Sequence, residues 1–212
     1  MSDSNDHSNA PVRQVVLASG NAGKLKELSA LLSPLQLTLT TQNALGIAAA
    51  EEPFGTFIEN ALAKARHASA HSGLPAIADD SGLAVDALGG APGVHSARYA
   101  GAAASDADNN AKLVTALQDA TSRTAAFHCV LVYIDSPTDP CPTIAAGRWP
   151  GLIVDETQGA DGFGYDPHFW VASEQCTAAQ LTPQRKNELS HRGRAATSFV
   201  SQLRERLQRD DC

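Results

Sequence analysis

The chain has 212 residues, of which 43% are hydrophobic, enough for one globular domain with a sizeable core. It carries 16 Lys and Arg against 23 Asp and Glu, a formal net charge of −7, which argues against a general nucleic-acid binder because such proteins present a basic face. A small anionic ligand is still possible, since a few cations in one cleft can outweigh a distant acidic surface.

The remaining composition argues against secreted and membrane proteins. The four cysteines are scattered, with no C-x-x-C pair, so neither a zinc site nor a disulfide framework is predicted. No run approaches the roughly 20 apolar residues of a membrane span. Residues 1–12 are polar and have no apolar core of a signal peptide, so we predict a disordered lead-in, a single domain over residues 13–209 and a cytoplasmic location.

The first predicted strand, residues 14–18, runs into a glycine loop and then a helix with leucines along one face. The loop is Ser19-Gly20-Asn21-Ala22-Gly23-Lys24. In this layout backbone N–H groups and a helix N-terminus can bind phosphate, although an ordinary βα turn is the alternative. The loop is not a Walker A motif, because only two residues separate its glycines. Lys24 favours the anion site, since a cation at a helix start opposes the helix dipole.

A half-exposed strand is predicted over residues 35–40, followed by a loop that carries Glu51 and Glu52. Thr56 and Glu59 predict a capping box in which Glu59 returns to the Thr56 amide. The helix that follows has a predicted inward stripe of Ile58, Ala61, Leu62, Ala65 and Ala68. Lys64 shares a face with Asn60; it is a solvated lysine unless that face borders the next strand.

The next strand, residues 76–78, presents Asp79 and Asp80 at its tip, and Ser81 with Gly82 is predicted to turn the backbone. Side chains alternate across a strand, so only one of the two carboxylates is expected to face a given pocket. A carboxylate followed by a hydroxyl and a glycine suits a hard cation and a phosphate. A turn whose aspartates only cap backbone amides is the alternative.

The middle of the chain carries fewer chemical signals. His95 and Arg98 lie in a polar loop and either line a cleft or brace the loop; bracing is favoured. A helix is predicted over residues 106–118, a buried central strand over 125–134 and its antiparallel neighbour over 143–146. Residues 149–151 are predicted to break the pattern before a short strand over 152–154. His128 is interpreted as a hydrogen-bonded core histidine.

A second glycine-rich loop, residues 159–167, contains Phe163, Gly164, Tyr165 and Asp166. Glycines that flank an aromatic residue let the backbone approach a planar ligand while the ring stacks on it. A short helix over residues 182–189 and a final amphipathic helix follow. Lys186, His191 and Arg192 concentrate positive charge near the start of that last helix, which predicts an anion site, although each one singly would be an ordinary surface group.

Taken together, these motifs resemble the inosine/xanthosine triphosphate pyrophosphatase family, and its bacterial branch closely. The matching stretches are residues 19–24, 57–61 with Lys64-Ala65, 78–93, 96–99, 162–167 and 190–193. The resemblance implies an α/β fold with an elongated mixed β-sheet flanked by helices, and two lobes around a central nucleotide cleft. It also implies a homodimer that uses Mg²⁺ to hydrolyse ITP, dITP and XTP to the monophosphate and pyrophosphate, clearing deaminated purine nucleotides, with no nucleic-acid or membrane partner.

The resemblance also assigns roles to residues of this sequence. Residues 19–24 and Lys64 would bind phosphate, Glu52 and Asp80 would hold the metal, and Asp80 would also act as base on the attacking water. Ser81 would contact phosphate or substrate, and residues 163–166 with Lys186, His191 and Arg192 would read the base. Two positions depart from the family pattern: Asp161 stands where glycine is common, and Ser19 where threonine is common.

Three other functions are compatible with parts of this pattern. One is a pyrophosphatase for modified pyrimidine triphosphates, and a second is a catalytically silent nucleotide-binding regulator. The third is a purely structural interaction module, which would leave the coincidence of Lys24, Lys64 and Lys186 unexplained. Retention of both Glu52 and Asp80 favours an enzyme over the regulator.

Overall fold

The computed structural model describes residues 13–19 and 22–210, without the side chains of residues 22–25, 27 and 210. The strands are β1 Gln14–Ala18, β2 Thr38–Thr41, β3 Ala76–Val85, β4 Thr124–Ile134, β5 Thr143–Ile153, β6 Phe169–Val171 and β7 Cys176–Thr177. The helices are α1 Ala22–Leu32, α2 Phe57–Ser72, α3 Asp106–Ala116, α4 Pro183–Leu189 and α5 His191–Asp210. The predicted disordered lead-in, residues 1–12, lies outside the described residues.

Within the described residues the strands form one mixed sheet of seven, in the order β2-β1-β3-β4-β5-β6-β7. β1 pairs in parallel with β2 and β3, and every pairing from β3 to β7 is antiparallel. The predicted mixed sheet flanked by helices is confirmed. No helix in the part of the chain described combines the length and apolar character needed to cross a membrane.

The helices cover both faces of the sheet. On one face, Leu28 and Leu32 of α1 and Phe199 and Leu203 of α5 pack on Leu17, Ile77 and Leu131. On the other face, the alanines of α2 pack on Val16, Ala78 and Val132. A third cluster, which includes Leu113 of α3, Phe127, Trp149 and Phe169, lies towards β6. β3 contributes residues to all three clusters.

The predicted turn at Ser81 and Gly82 is wrong, because β3 continues through both residues as one strand of 10 residues. Each of its residues is paired with β4, and this non-local pairing outweighs the local turn signal. Gly82 is needed for close packing instead, since a Cβ there would lie 2.5 Å from the Ser96 hydroxyl oxygen and would also contact the Gly93 carbonyl. A strand glycine often marks such an approach of another backbone.

The predicted break at residues 149–151 is also wrong, because β5 is continuous through Trp149 and Pro150. In the described structure β6 pairs only with Leu152 and Ile153, so the edge of β5 beside Pro150 has no ladder hydrogen bond to lose. Gly151 is required by packing, since a Cβ there would lie 2.5 Å from the Phe169 ring.

Several smaller predictions need correction. Ile58 is 47% exposed and does not belong to the inward stripe of α2, whereas Ala61, Ala65 and Ala68 are fully buried. The Glu59 carboxylate accepts a hydrogen bond from the Thr56 hydroxyl at 2.6 Å, where the Thr56 amide was predicted as donor. The second strand starts three residues late, because Ser33–Leu35 forms a 3-10 turn. His128 is half-buried against the Phe57 ring and is not a fully buried core residue.

Candidate functional site

Two neighbouring cavities lie along β3 and share Ser81 and Ala97 in their walls. The first, called the acidic pocket here, is lined by Ser19, Glu52, Lys64, Asp79, Asp80 and Arg98 among others. The second, called the aromatic pocket, is lined by Phe127, Phe163, Tyr165, Asp166, Lys186 and Arg192 among others. The structure therefore brings the two groups of predicted site residues into adjoining pockets that share the wall at Ser81.

The centre of the acidic pocket is an ion-pair cluster between α2 and β3. The Lys64 Nζ lies 2.7 Å from Glu52 Oε1 and 2.9 Å from Asp80 Oδ1. Asp80 follows Ala76 and Ala78 on the face of β3 that packs against α2, and the small side chains of Ala61 and Ala65 let the helix lie close. Lys64 is thus on a face that borders the strand, as its functional interpretation required.

The charge of Lys64 is held by its neighbours. Burial by itself lowers the pKa of the ammonium, but the carboxylates of Asp80, Asp79 and Glu52 raise it overall. Asp80 is only 5% exposed. Lys64 therefore remains a cation at neutral pH, the state that its predicted contact with phosphate calls for.

Asp79 and Asp80 both line the acidic pocket, although strand alternation predicted that only one would. The reason is that β1 ends at Ala18, opposite Ala78, so β3 has a free edge from Asp79 onward and the cavity reaches around it. The Ser81 hydroxyl lies 3.4 Å from Asp79 Oδ2 and can donate to it.

The loop that carries Glu52 is fixed from two directions. The buried Asn60 side chain of α2 makes two hydrogen bonds of 3.1 Å to the backbone of Phe54. Arg98 donates to Glu52 Oε2 at 3.3 Å and to the Glu52 carbonyl at 3.4 Å. Arg98 thus braces this loop and also lines the acidic pocket, while His95 is exposed. No motif or periodicity in the sequence indicates the pairing of Arg98 with a residue 46 positions away.

Glu52 and Asp80 fit the protein share of a Mg²⁺ site. Each places one oxygen within hydrogen-bond distance of the same ammonium, so both already converge on a single positive charge. Mg²⁺ typically takes one or two carboxylates from the protein and completes its shell with substrate phosphates and waters. Among the described residues no group of three or more His, Cys, Asp or Glu could hold a metal, so phosphate and water oxygens would have to supply the rest.

The aromatic pocket contains a buried ion pair beneath the second glycine-rich loop. The Lys186 Nζ lies 2.6 Å from Asp166 Oδ2, and that oxygen also accepts a hydrogen bond from the Phe163 amide at 2.9 Å. The Phe163 ring centroid lies 5.0 Å from the Lys186 Nζ and 5.1 Å from the Arg192 Cζ. A flat ring and two cations therefore form one surface suited to a planar ligand with acceptor atoms.

His191 and Arg192 lie in the first turn of α5. The His191 ring stacks on Phe127 at 4.8 Å between centroids, and the Arg192 guanidinium donates to the Ser81 hydroxyl at 3.3 Å. The helix start can lie against β5 because Gly147 has no side chain: a Cβ there would lie 2.6 Å from the Ala195 amide nitrogen and would contact the His191 carbonyl. The predicted site residues His191 and Arg192 thus both line the aromatic pocket.

Other contacts fix the remaining loop residues. The Tyr165 hydroxyl donates to the Ser96 carbonyl at 2.8 Å, and burial raises the pKa of Tyr165. Gly164 has φ +63°, in the left-handed region, and its amide donates to the Asp106 carboxylate at 2.7 Å. The sequence predicted the helix that contains Asp106 but assigned this residue no function.

The predicted phosphate loop is only partly described. Ser19 is buried and lines the acidic pocket, and α1 begins at Ala22, which confirms the strand, loop and helix layout. Gly20 and Asn21, and the side chains of Ala22, Gly23 and Lys24, lie outside the described residues. Their phosphate-binding roles stay predictions.

The chain is similar to known proteins along most of its length. A profile of the Ham1 family matches residues 15–202. The chain belongs to the Ham1 family. Relatives named dITP/XTP pyrophosphatase in Bordetella pertussis and Escherichia coli O157:H7 are 58% and 54% identical over 199 and 195 residues. These matches cover 92% and 91% of this chain and 93% and 99% of the relatives, and the resemblance seen in the sequence motifs is confirmed.

Solved structures agree with this assignment. A Ham1 protein from Coxiella burnetii matches this Ham1 family protein with a TM-score of 0.87 at 47% identity, covering 92% of this chain and 100% of the other. A nucleoside-triphosphatase/dITP/XTP pyrophosphatase from Mycobacterium abscessus matches with a TM-score of 0.71 at 40% identity, covering 90% and 99%. The fold of the family is thus present over nearly all of the described chain.

Proposed function

We propose that this Ham1 family protein hydrolyses dITP, ITP and XTP to the nucleoside monophosphate and pyrophosphate with Mg²⁺, and so clears deaminated purine nucleotides. The observation that carries the proposal is the arrangement of the two pockets. A cluster suited to a metal and phosphates, with Glu52, Lys64 and Asp80, shares the Ser81 wall with a pocket suited to a planar base. One nucleotide could occupy both.

The family supports the general class of reaction. The protein is a hydrolase acting on nucleoside triphosphates, since its curated relatives at 54–58% identity are named dITP/XTP pyrophosphatases and a structural neighbour is named a nucleoside-triphosphatase. The choice among dITP, ITP and XTP, and the use of Mg²⁺, form the more detailed part of the proposal.

At the acidic pocket, the chemistry consists mainly of positioning and charge neutralisation, because cleavage of a triphosphate adds charge to the leaving pyrophosphate. When bound by Glu52 and Asp80, Mg²⁺ would neutralise phosphate charge and make a nearby water more acidic. Asp80 would orient this water and accept its proton as the oxygen attacks the α-phosphorus. The bond from that phosphorus to the bridging oxygen then breaks. Lys64 and the loop of residues 19–24 would bind the phosphates.

At the aromatic pocket, donors select the base. Hypoxanthine and xanthine carry a 6-oxo acceptor, whereas adenine carries an amino donor at that position. Lys186, His191 and Arg192 would donate towards the oxygen, and the Phe163 ring would stack on the base. In this pocket the 6-amino group of adenine would face protein donors and find no acceptor, at a cost of about 1–3 kcal/mol for each unpaired group.

We also propose that the protein is a homodimer, with no nucleic-acid or membrane partner. β5 carries Leu152, which is 41% exposed, in register with the half-buried Trp170 of β6. Exposed apolar patches of this kind often mark protein interfaces. Sedimentation velocity of the wild type and of Leu152→Glu tests this surface: we expect a dimer for the wild type and a monomer for the variant. If both proteins sediment as dimers, Leu152 does not lie in the dimer interface. A single domain over residues 13–209 and a cytoplasmic location remain proposals.

The main test is pyrophosphate release from a panel of purine and pyrimidine triphosphates with Mg²⁺. We expect ITP, dITP and XTP to be turned over preferentially, and Asp80→Asn to lose at least about 100-fold in rate, the usual scale of a general base. Asp119→Asn, on an exposed aspartate in the turn after α3, is the matched control and should keep full activity. A preference for modified pyrimidines, or binding without turnover, would replace the proposal with one of the alternative functions.

A further inference from the structure

The first two turns of α3 hold the loop that carries Phe163. The Asp106 carboxylate accepts a hydrogen bond of 2.7 Å from the Gly164 amide, and the Asn110 amide donates to the Gly164 carbonyl at 2.9 Å. Asp106 and Asn110 are four residues apart and so lie on one face of the helix. Both backbone polar groups of one loop residue are therefore bound by a helix 58 and 54 positions away in sequence.

Gly164 is a residue whose conformation needs such support. Its φ of +63° lies in the left-handed region, which glycine enters readily but also leaves readily. It sits between Phe163, whose ring faces Lys186 and Arg192, and Tyr165, whose hydroxyl is bound to the Ser96 carbonyl. Fixing the Gly164 peptide groups therefore sets the direction from which the Phe163 ring enters the pocket.

The helix is itself anchored to the opposite wall of the aromatic pocket. The buried Asn109 side chain accepts from the Ala100 amide at 2.7 Å and donates to the Ala97 carbonyl at 3.3 Å. Ala97, Asn109 and Asp106 all line the aromatic pocket together with Gly164. α3 thus joins two walls of the pocket, one through Asn109 and the other through Asp106 and Asn110.

We propose that Asp106 and Asn110 are positioning residues for base selection, acting through Gly164. They hold the loop so that the Phe163 ring stays over Lys186 and Arg192, and the base meets a pocket that is already shaped. This inference rests on the proposed function, because the ligand that is selected is the base of a nucleoside triphosphate. Neither Asp106 nor Asn110 has a role in the proposed metal, phosphate or base contacts.

Four variants test the inference by kinetics. Asp106→Ala and Asn110→Ala each remove one loop contact, and we expect the KM for ITP to rise about 3- to 10-fold with kcat changed less than about twofold. The preference for ITP over ATP should fall by a similar factor. Asp106→Asn keeps an oxygen acceptor and should restore most of the preference. Asp119→Asn neutralises an exposed carboxylate in the turn after the same helix, away from the capping box of Ser105 and Asp108, and should leave the preference unchanged.

A second readout does not depend on turnover. Amide hydrogen exchange in residues 159–166 should become faster in Asp106→Ala and Asn110→Ala, and should remain as in wild type in Asp106→Asn and Asp119→Asn. Unchanged exchange and selectivity in Asp106→Ala would overturn the inference, and so would an Asp106→Asn variant as impaired as Asp106→Ala. Failure of the proposed function itself would look different: wild type would release no pyrophosphate from any nucleotide, whatever the exchange data show.

Discussion

Lys64→Met offers the sharpest test of the acidic pocket. The substitution removes the ammonium that joins Glu52 to Asp80 and keeps a side chain of similar length. The Lys64 and Asp80 side chains are 13% and 8% exposed, and that of Glu52 is 26% exposed. Removing one partner of a fully buried ion pair costs about 3–5 kcal/mol. Because Glu52 is partly solvated, we expect a loss of about 2–3 kcal/mol in the free energy of unfolding.

This loss can be measured as a melting temperature in EDTA. For a domain of this size about 1 kcal/mol corresponds to ~2–4 °C, so Lys64→Met should melt about 4–12 °C below wild type. Lys26→Met is the matched control, since it removes the same charge from an exposed position of α1 and should change stability by less than about 0.5 kcal/mol.

The same variant tests the metal assignment without measuring turnover. In wild type a divalent cation must displace the Lys64 ammonium from Glu52 and Asp80, whereas in Lys64→Met the carboxylates meet the cation directly. Adding Mg²⁺ should therefore raise the melting temperature more in Lys64→Met than in wild type, because a ligand that binds only the folded state stabilises it. Equal shifts in both proteins, together with equal stability in EDTA, would refute the reasoning.

Three further outcomes are expected. Arg192→Ala should reduce the preference for ITP over ATP while Mg²⁺ binding is kept; comparable losses in kcat/KM for both nucleotides would contradict its assignment to reading the 6-oxo group. Gly82→Ala should lower the free energy of unfolding by about 3 kcal/mol in urea titrations, because its Cβ would meet the Gly93 carbonyl, whereas Gly55→Ala, in open space, should be nearly neutral. His128→Gln should flatten the loss of stability on acidification. Burial, and next Arg148, lower the pKa of His128 below its ordinary value of about 6.5, so the unfolded chain takes up the proton first and stability falls as the pH drops below that value. Melting curves between pH 7 and pH 5 measure this, and an unchanged slope in the variant would count against it.

Local patterns in the sequence were sufficient for most of the elements. Apolar periodicity located β1, α2, α3 and β4 to within a few residues, because each buries one face or both. The same local reasoning failed at Gly82 and Pro150, where turn-forming residues lie inside long strands. At both positions, pairing with β4 keeps the chain extended. Glycine is required at residues 82 and 151 because a side chain would collide with neighbouring atoms, and not because the chain turns.

The candidate site was predictable where its residues lie close in sequence or in a recognisable motif. Lys64 and Asp80 are 16 positions apart, on a helix and the strand that directly follows it, so their proximity could be expected. The contacts of Arg98 with Glu52 and of Asp106 with Gly164 join segments 46 and 58 positions apart. Neither pair shares a periodicity or a motif, so only the folded chain could reveal them.

The uninterrupted course of β3 has a consequence for how the protein could evolve. Asp80 and Ser81 are consecutive residues of a strand that is hydrogen-bonded to β4 along its whole length. The spacing between the acidic and the aromatic pocket is therefore set by a rigid backbone repeat and not by a loop. A shift in the register of β3 would damage both pockets at once. Substitutions in the loop of residues 159–167, by contrast, would alter the aromatic pocket and leave the acidic pocket unchanged. New base preferences should therefore arise by substitution in that loop, with the β3 frame left as it is.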